Sequence, residues 1–361
     1  MAALVSSSHI RWSSCREIQY RRWQQQSAEG SVGPLTELVF GGATSHGVTA
    51  VVEWQDWLGR AEDDAKLPLY KQGRRRSFDD LAAELGDSLS AELQPTAFEE
   101  RGRRIQGALD RLQRDIEAAR LDVLVVIGDD QGEAFSPSST PTLAIHIGDE
   151  AMAAQMPVPD DAPAWMRRAV AGLGMDRIRA LPTAGWLARA VIESLVREGF
   201  DVAPFSTEAS GRGIGHAFTF PHRRLLTDGP VRLLPVLLNT YYPPNQPTPA
   251  RCYAIGAALR RALQAADTSA RVGVLASGGL SHFIVEEDLD RSVLEAIANS
   301  DRHFLEQLPA ERLLEGSSEI RNWIAAAGVF AQHPVEWCEY VPTRRSRAGS
   351  GCGNGFLTWQ F

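Results

Sequence analysis

The sequence predicts an α/β fold: a single domain with a central mixed or mostly parallel sheet covered by helices, and a helical insertion near the N-terminus. Three observations carry that reading. The apolar runs at 121–127, 233–238 and 272–275 have the near-continuous character of strands buried on both faces. Between them lie segments with helical spacing: Phe98, Ile105, Ala108, Leu109, Leu112, Ile116 and Ala119 share one face, and Cys252, Ile255, Leu259 and Leu263 follow Pro249. Strands that alternate with helices in this way build a sheet with parallel pairs and helices on its faces.

Bulk properties narrow the function. A hydrophobic content of 44% with 23% charged residues is that of a soluble globular protein. A formal net charge of −8 argues against a general nucleic-acid binder. No apolar run approaches the roughly 18 residues that a membrane span requires. Cys15, Cys252, Cys338 and Cys352 are scattered, which fits a reducing cytoplasm better than a secreted disulfide framework. Residues 1–34 hold Arg11, Arg16, Arg21 and Arg22 but no apolar signal core, so they read as a disordered extension ahead of a catalytic domain at 35–361.

Taken in order, Leu38-Val39-Phe40 reads as a first strand ended by Gly41-Gly42, and it delivers Ser45 and His46 to a loop. Residues 50–95 read as short helices and loops inserted over the sheet, with Arg74-Arg75-Arg76 as a solvated face. Thr96-Ala97-Phe98-Glu99 has the form of a capping box opening a helix. The strand before Gly128 ends in Asp129, Asp130, Gln131 and Glu133. A metal or a bound hydroxyl group would explain so many carboxylates, and a helix N-cap with solvated side chains explains them equally well.

Residues 150–183 give no definite element. The glycines at 211, 213 and 215 resemble a phosphate loop but lack a following Lys-Ser/Thr and a helical pattern, which argues against nucleotide binding. His216 then falls in an aromatic loop suited to a flat substrate. Ser277-Gly278-Gly279 ends the strand at 272 and places Ser281 and His282 in a loop at its carboxyl end, the edge where open α/β sheets bind ligands. Glu319 falls in the first turn of a further helix, where capping alone would account for it. The segment 344–356 is rich in Gly and Arg.

His46, Asp130-Gln131, His216, His282 and Glu319 all lie at ends of predicted elements. Two histidines and one carboxylate with open positions make a facial site for non-haem Fe(II), although spacing alone does not force these residues together.

The stretches SHG at 45–47, VVIGDDQGEAF at 125–135, GHAFTFP at 215–221, NTYYPPNQPTPARCYAIG at 239–256, SGGLSHF at 277–283 and GSSEIRNW at 316–323 resemble class III extradiol ring-cleavage dioxygenases of the protocatechuate 4,5-dioxygenase beta-chain type. The segment between the first and second of these is most similar to the 3-O-methylgallate dioxygenase branch. The resemblance implies an Fe(II) cofactor, with His46 and Glu319 as metal ligands and Gln131 at the position of the second ligating histidine. It implies that His282 is the catalytic acid/base and that His216 is a further catalytic group near the ring substituent. Phe218, Phe220, Tyr241 and Tyr242 are candidates to wall the ring. Gln131 departs from the family pattern, because a neutral amide oxygen is a poorer iron ligand than imidazole. Asp130 and Glu133 are alternative donors at the same strand end.

The implied partners are O2 and a small phenol, with no nucleic acid and no membrane, and the family suggests a homodimer. Gln131 also admits a second expectation, a non-catalytic family member that binds small molecules or serves as a partner subunit. A metal-dependent hydrolase built on the 129–133 cluster is a third.

Overall fold

Four parallel strands fill the middle of the sheet, and their residues alternate between two hydrophobic layers. The computed structural model describes residues 36–207, 212–226 and 229–361, so the extension expected at 1–34 lies outside the described residues. The strands are β1 (Glu37–Thr44), β2 (Leu69–Lys71), β3 (Arg74–Arg76), β4 (Val123–Asp129), β5 (Leu143–His146), β6 (Glu150–Met152), β7 (Ala180–Pro182), β8 (Ala203–Phe205), β9 (Arg232–Leu238), β10 (Arg271–Ser277), β11 (His282–Ile284), β12 (Val335–Arg344) and β13 (Ser350–Trp359). The main sheet runs β11-β13-β1-β10-β4-β9-β5-β8, with β12 also paired to β13. Pairs β1–β10, β10–β4 and β4–β9 are parallel, whereas β13 joins β1, β11 and β12 antiparallel.

The pleat sorts side chains by parity. Val123, Val125 and Ile127 join Val272, Val274, Leu234 and Val236 in one layer, under the helices Gly185–Arg197, Pro249–Gln264, Glu287–Ala298 and Ile320–Val329. Leu124, Val126, Leu233, Leu237 and Leu275 face the other way, onto the helices Pro95–Ala119, Ala164–Gly172 and His216–Leu225. The expected architecture, one mixed and largely parallel sheet between helices, is what the chain forms.

Several local expectations are corrected. Gly41-Gly42 does not end β1, which runs on to Thr44. The glycine is there for room: a Cβ on Gly41 would lie 2.6 Å from the Phe330 ring. The long helix starts at Pro95 behind Gln94, with no side-chain cap, so the capping box is not used. His216 opens a helix, His216–Leu225, that the interior Pro221 had concealed. His282 is the first residue of β11 and is not in a loop. The Gly- and Arg-rich tail is the β12–β13 hairpin, and residues 150–183 contain the β6–β7 pair and a helix. In the insertion, the helices Gln55–Asp64 and Phe78–Leu85 flank a β2–β3 hairpin that carries the arginine run. Among the described residues, no helix is long and apolar enough to cross a membrane.

Candidate metal centre and active site

Because β1, β10, β4 and β9 are parallel, their carboxyl ends open on one edge, and each contributes to one cluster. β1 leads to His46, β4 ends at Asp129 ahead of Gln131, β9 leads to Tyr241, and β10 leads through Gly278-Gly279 to His282. Glu319 comes from the short 3-10 turn Glu315–Glu319 just before the helix Ile320–Val329. That turn packs tightly on β11, since a Cβ on Gly316 would lie 1.8 Å from the His282 carbonyl oxygen. Asn322 and Trp323 anchor the helix to the strand ends, donating to the carbonyls of Ser277 and Gly278 at 3.0 and 2.8 Å.

Glu319 is 1% exposed and sits at the centre. Its Oε2 lies 3.4 Å from His46 Nε2 and accepts a 2.6 Å hydrogen bond from the Gly279 amide. Its Oε1 lies 3.3 Å from His282 Nε2. The side chain does not cap its helix, so the capping explanation fails. Ligand atoms of His46, His216 and Glu319 all fall within 4.8 Å of one another.

The outer nitrogens of these histidines are tied down. His46 Nδ1 meets Ser277 Oγ at 2.9 Å, and His216 Nδ1 meets Glu133 Oε1 at 2.8 Å. Each Nε2 is thereby turned toward the cluster, the orientation that metal-binding histidines take from their outer partners. His46 Nε2 is buried without a hydrogen-bond partner, as a ligand atom awaiting a metal would be. The donor set therefore fits a divalent transition metal, with two imidazoles and one carboxylate.

The titratable groups of the cluster hold one another's charge. Burial and the neighbouring Glu319 push Asp129 up to about 8. Glu319 is held well below the usual carboxylate range, because His282 and His46 outweigh the effect of its burial. Burial disfavours a charged His216 and a charged His282, but Glu133 raises the first to about 9 and Glu319 raises the second to about 9. For His46 burial wins, and its pKa falls.

The expected residues thus converge, with redistributed contacts. Gln131 donates from its amide nitrogen to Glu319 Oε1 at 3.2 Å and to Asp129 Oδ2 at 3.3 Å, and that nitrogen lies 3.4 Å from His216 Nε2. So placed, it directs N–H groups at Glu319, and His216 Nε2 stands where a second imidazole could reach a metal. Asp130 and Glu133 do not reach the cluster as ligands. Asp130 accepts from the amides of Gly132, Ala134 and Phe135, and Glu133 holds His216 and the Gln131 amide. Phe218 does not wall a ring: it is fully buried, packed against Gly128 beneath the sheet edge. Phe220 is also buried, with its ring edge-on to His46 at 6.4 Å. Tyr241 does line the cavity.

That cavity, about 180 Å³, is bounded by His46, His216, Tyr241, His282, Glu319 and, on the side of the insertion, Arg60 and Arg345. It is on the scale of a pocket of about 150 Å³ that holds one benzene ring. Through Gln131, Met156 and His216 it adjoins a wider chamber of about 730 Å³. The roles of Glu133, Ser277, Arg60 and Arg345 were missed in the sequence. The only signal for Glu133 was its membership of the 129–133 acidic cluster.

A family model described as the catalytic LigB subunit of aromatic ring-opening dioxygenase matches residues 89–341. The match covers more than half of the chain, and the protein belongs to this family, the class III extradiol dioxygenases. It includes Gln131, His216, His282 and Glu319, whereas His46 lies upstream of it. The chain is also similar to the gallate dioxygenase of Pseudomonas putida, at 28% identity over 169 residues, which are 42% of this chain and 48% of the relative. The chain thus spans about half the length of this relative.

Proposed function

We propose that the protein is an Fe(II)-dependent extradiol dioxygenase that opens a catechol- or gallate-type ring, with a 3-O-methylgallate-like phenol favoured. The observation that carries this reading is the His46–His216–Glu319 cluster, all within 4.8 Å, with His282 against the same carboxylate. His46, His216 and Glu319 would hold the iron. When bound, ferrous iron supplies Lewis acidity toward the two hydroxyl oxygens and the redox chemistry that O2 requires.

The protein's own part is positioning and proton transfer. His282 Nδ1 lies 3.1 Å from the Leu280 carbonyl, which favours the tautomer with its proton on Nδ1. Beside Glu319 the imidazole is held charged, its pKa raised to about 9; a cation held by Glu319 would weaken that hold, and Nε2, facing the cavity, would then be free to take a phenolic proton and later return one. A cavity sized for one ring holds the phenol against these groups, so part of the barrier is met by orientation. Gln131 hydrogen-bonds within the cluster and orients Glu319. The free Cys252, Cys338 and Cys352 support a cytoplasmic setting.

Substitution separates the assigned roles. His282→Ala is expected to keep its iron and lose turnover, whereas His46→Ala and Glu319→Ala lose iron. Full activity in His282→Ala would remove the acid/base role.

A further inference from the structure

The inserted helix Gln55–Asp64 and the β12–β13 hairpin bring two arginines to the wall of the one-ring cavity, where the metal cluster gives them no task. Arg60 and Arg345 are 8% and 3% exposed, and both line the cavity beside His46, His282 and Glu319. A single buried carboxylate, Asp64, serves both. Arg345 grips it with two parallel bonds, Nε to Oδ2 at 2.9 Å and Nη2 to Oδ1 at 3.0 Å. Arg60 Nη1 shares Oδ1 at 2.9 Å. Ser350 also donates to Asp64, which leaves that carboxylate crowded with donors.

Two guanidinium groups against one carboxylate leave a positive charge unbalanced in a buried place, where a lone charge is costly. Asp63, the neighbour of Asp64 in the chain, is paired with Lys66 at 2.7 Å and adds only a weak attraction to Arg60. Arg345 reaches past Asp64 toward the centre, with Nη1 lying 3.8 Å from Cys352 Sγ. Cys352 is the register partner of His282 and borders Gly47, so Arg345 is linked through Cys352 to the strand position of the proposed acid/base, and Arg60 lines the same cavity. Arg60 is stacked over the Trp165 ring at 5.3 Å, which fixes its head group at the cavity wall. Burial and the charge of Arg345 lower the Arg60 pKa against the pull of Asp64, whereas, despite burial, Asp64 raises that of Arg345, so the shared carboxylate serves Arg345 more fully than Arg60.

We infer that Arg60 and Arg345, held by Asp64, form an anion subsite that takes the carboxylate of an aromatic acid whose hydroxyl groups face the metal cluster. The inference rests on the dioxygenase reading and adds the recognition element for its substrate. Guanidinium is the group best matched to a carboxylate, in geometry and in permanent charge.

The test compares gallate with pyrogallol, the same trihydroxylated ring without its carboxylate. Binding to the full chain is measured by calorimetry without oxygen, with and without Fe(II). Gallate is expected to bind about 10- to 100-fold more tightly than pyrogallol. That preference should vanish in Arg60→Gln and survive in part in Arg60→Lys. Equal binding of the two compounds by the unaltered chain, or binding of neither, would overturn the subsite. So would an undiminished preference in Arg60→Gln, or its loss in Arg212→Gln, since Arg212 lines the wider chamber instead. If the chain never consumed O2 yet showed this preference without iron, the dioxygenase reading would fail and the subsite would stand.

Discussion

Glu133 holds His216 through a 2.8 Å contact from Oε1 to Nδ1, and so turns Nε2 of that histidine toward His46 and Glu319. Burial alone would raise the Glu133 carboxyl, but the hydrogen bond and charge of His216 bring it down to about 2. The pair sets which nitrogen is offered to a metal. Glu133→Gln keeps the size of the side chain and removes the charge. It is expected to weaken Fe(II) binding by about 10- to 100-fold, as loss of such an outer partner does. Metal titration against a competing chelator reads this directly, and unchanged affinity would mean that His216 is not a ligand.

Asp290 plays the same part for Ser281, the residue that leads into β11 and His282. It is fully buried and accepts from the Ser281 amide at 2.8 Å, from Ser281 Oγ at 2.7 Å and from the Tyr340 hydroxyl at 2.6 Å. Asp290→Ala leaves those donors without their acceptor and is expected to cost about 2–4 kcal/mol of stability. Asp290→Asn, which keeps an acceptor oxygen, should cost less. Denaturant unfolding of the two variants checks the order.

Gly316 is where the Glu319 turn meets β11. Gly316→Ala places a methyl group 1.8 Å from the His282 carbonyl oxygen, so one backbone must retreat. Overpacking of this kind costs about 1–3 kcal/mol. The retreat also separates His282 from Glu319, and turnover should fall more than iron content does. An equal loss of both would place the damage at the metal instead.

His146, 1% exposed on β5, gives the acid limb of stability a specific origin. Burial lowers its pKa to about 4, against 6.5 for the unfolded chain. Between those values the unfolded state binds the extra proton. The contribution is therefore complete above pH 6.5 and is lost as pH falls toward about 4. The full loss is about 3 kcal/mol. In His146→Leu the stability-against-pH curve should be flatter by that amount over this window, whatever the variant's absolute stability.

Sequence reasoning recovered the parts of the fold that depend on local pattern. β4, β9 and β10 announce themselves as apolar runs because both of their faces are covered. β13 does not, for its first six residues are Ser-Gly-Cys-Gly-Asn-Gly, and its strand character comes from neighbours on both sides. His46, His282 and Glu319 stand out in the sequence through the motifs around them, and the fold brings them together. The Arg60–Asp64–Arg345 arrangement was not, because Asp64 and Arg345 are 281 positions apart and each belongs to a charge-rich segment that reads as solvated. Gln131 was assigned by position along the chain, whereas the His216 ring that stands beside it comes from a helix that Pro221 hid.

On the proposed function, His46, His216 and Glu319 would hold a ferrous ion that works on a phenol beside His282. The direct measurement is iron stoichiometry of the protein prepared without oxygen, followed by O2 uptake with 3-O-methylgallate, gallate and protocatechuate. One iron per chain is expected, with oxygen consumed with at least one of the three. A chain that binds no iron and consumes no oxygen with any of them would contradict it.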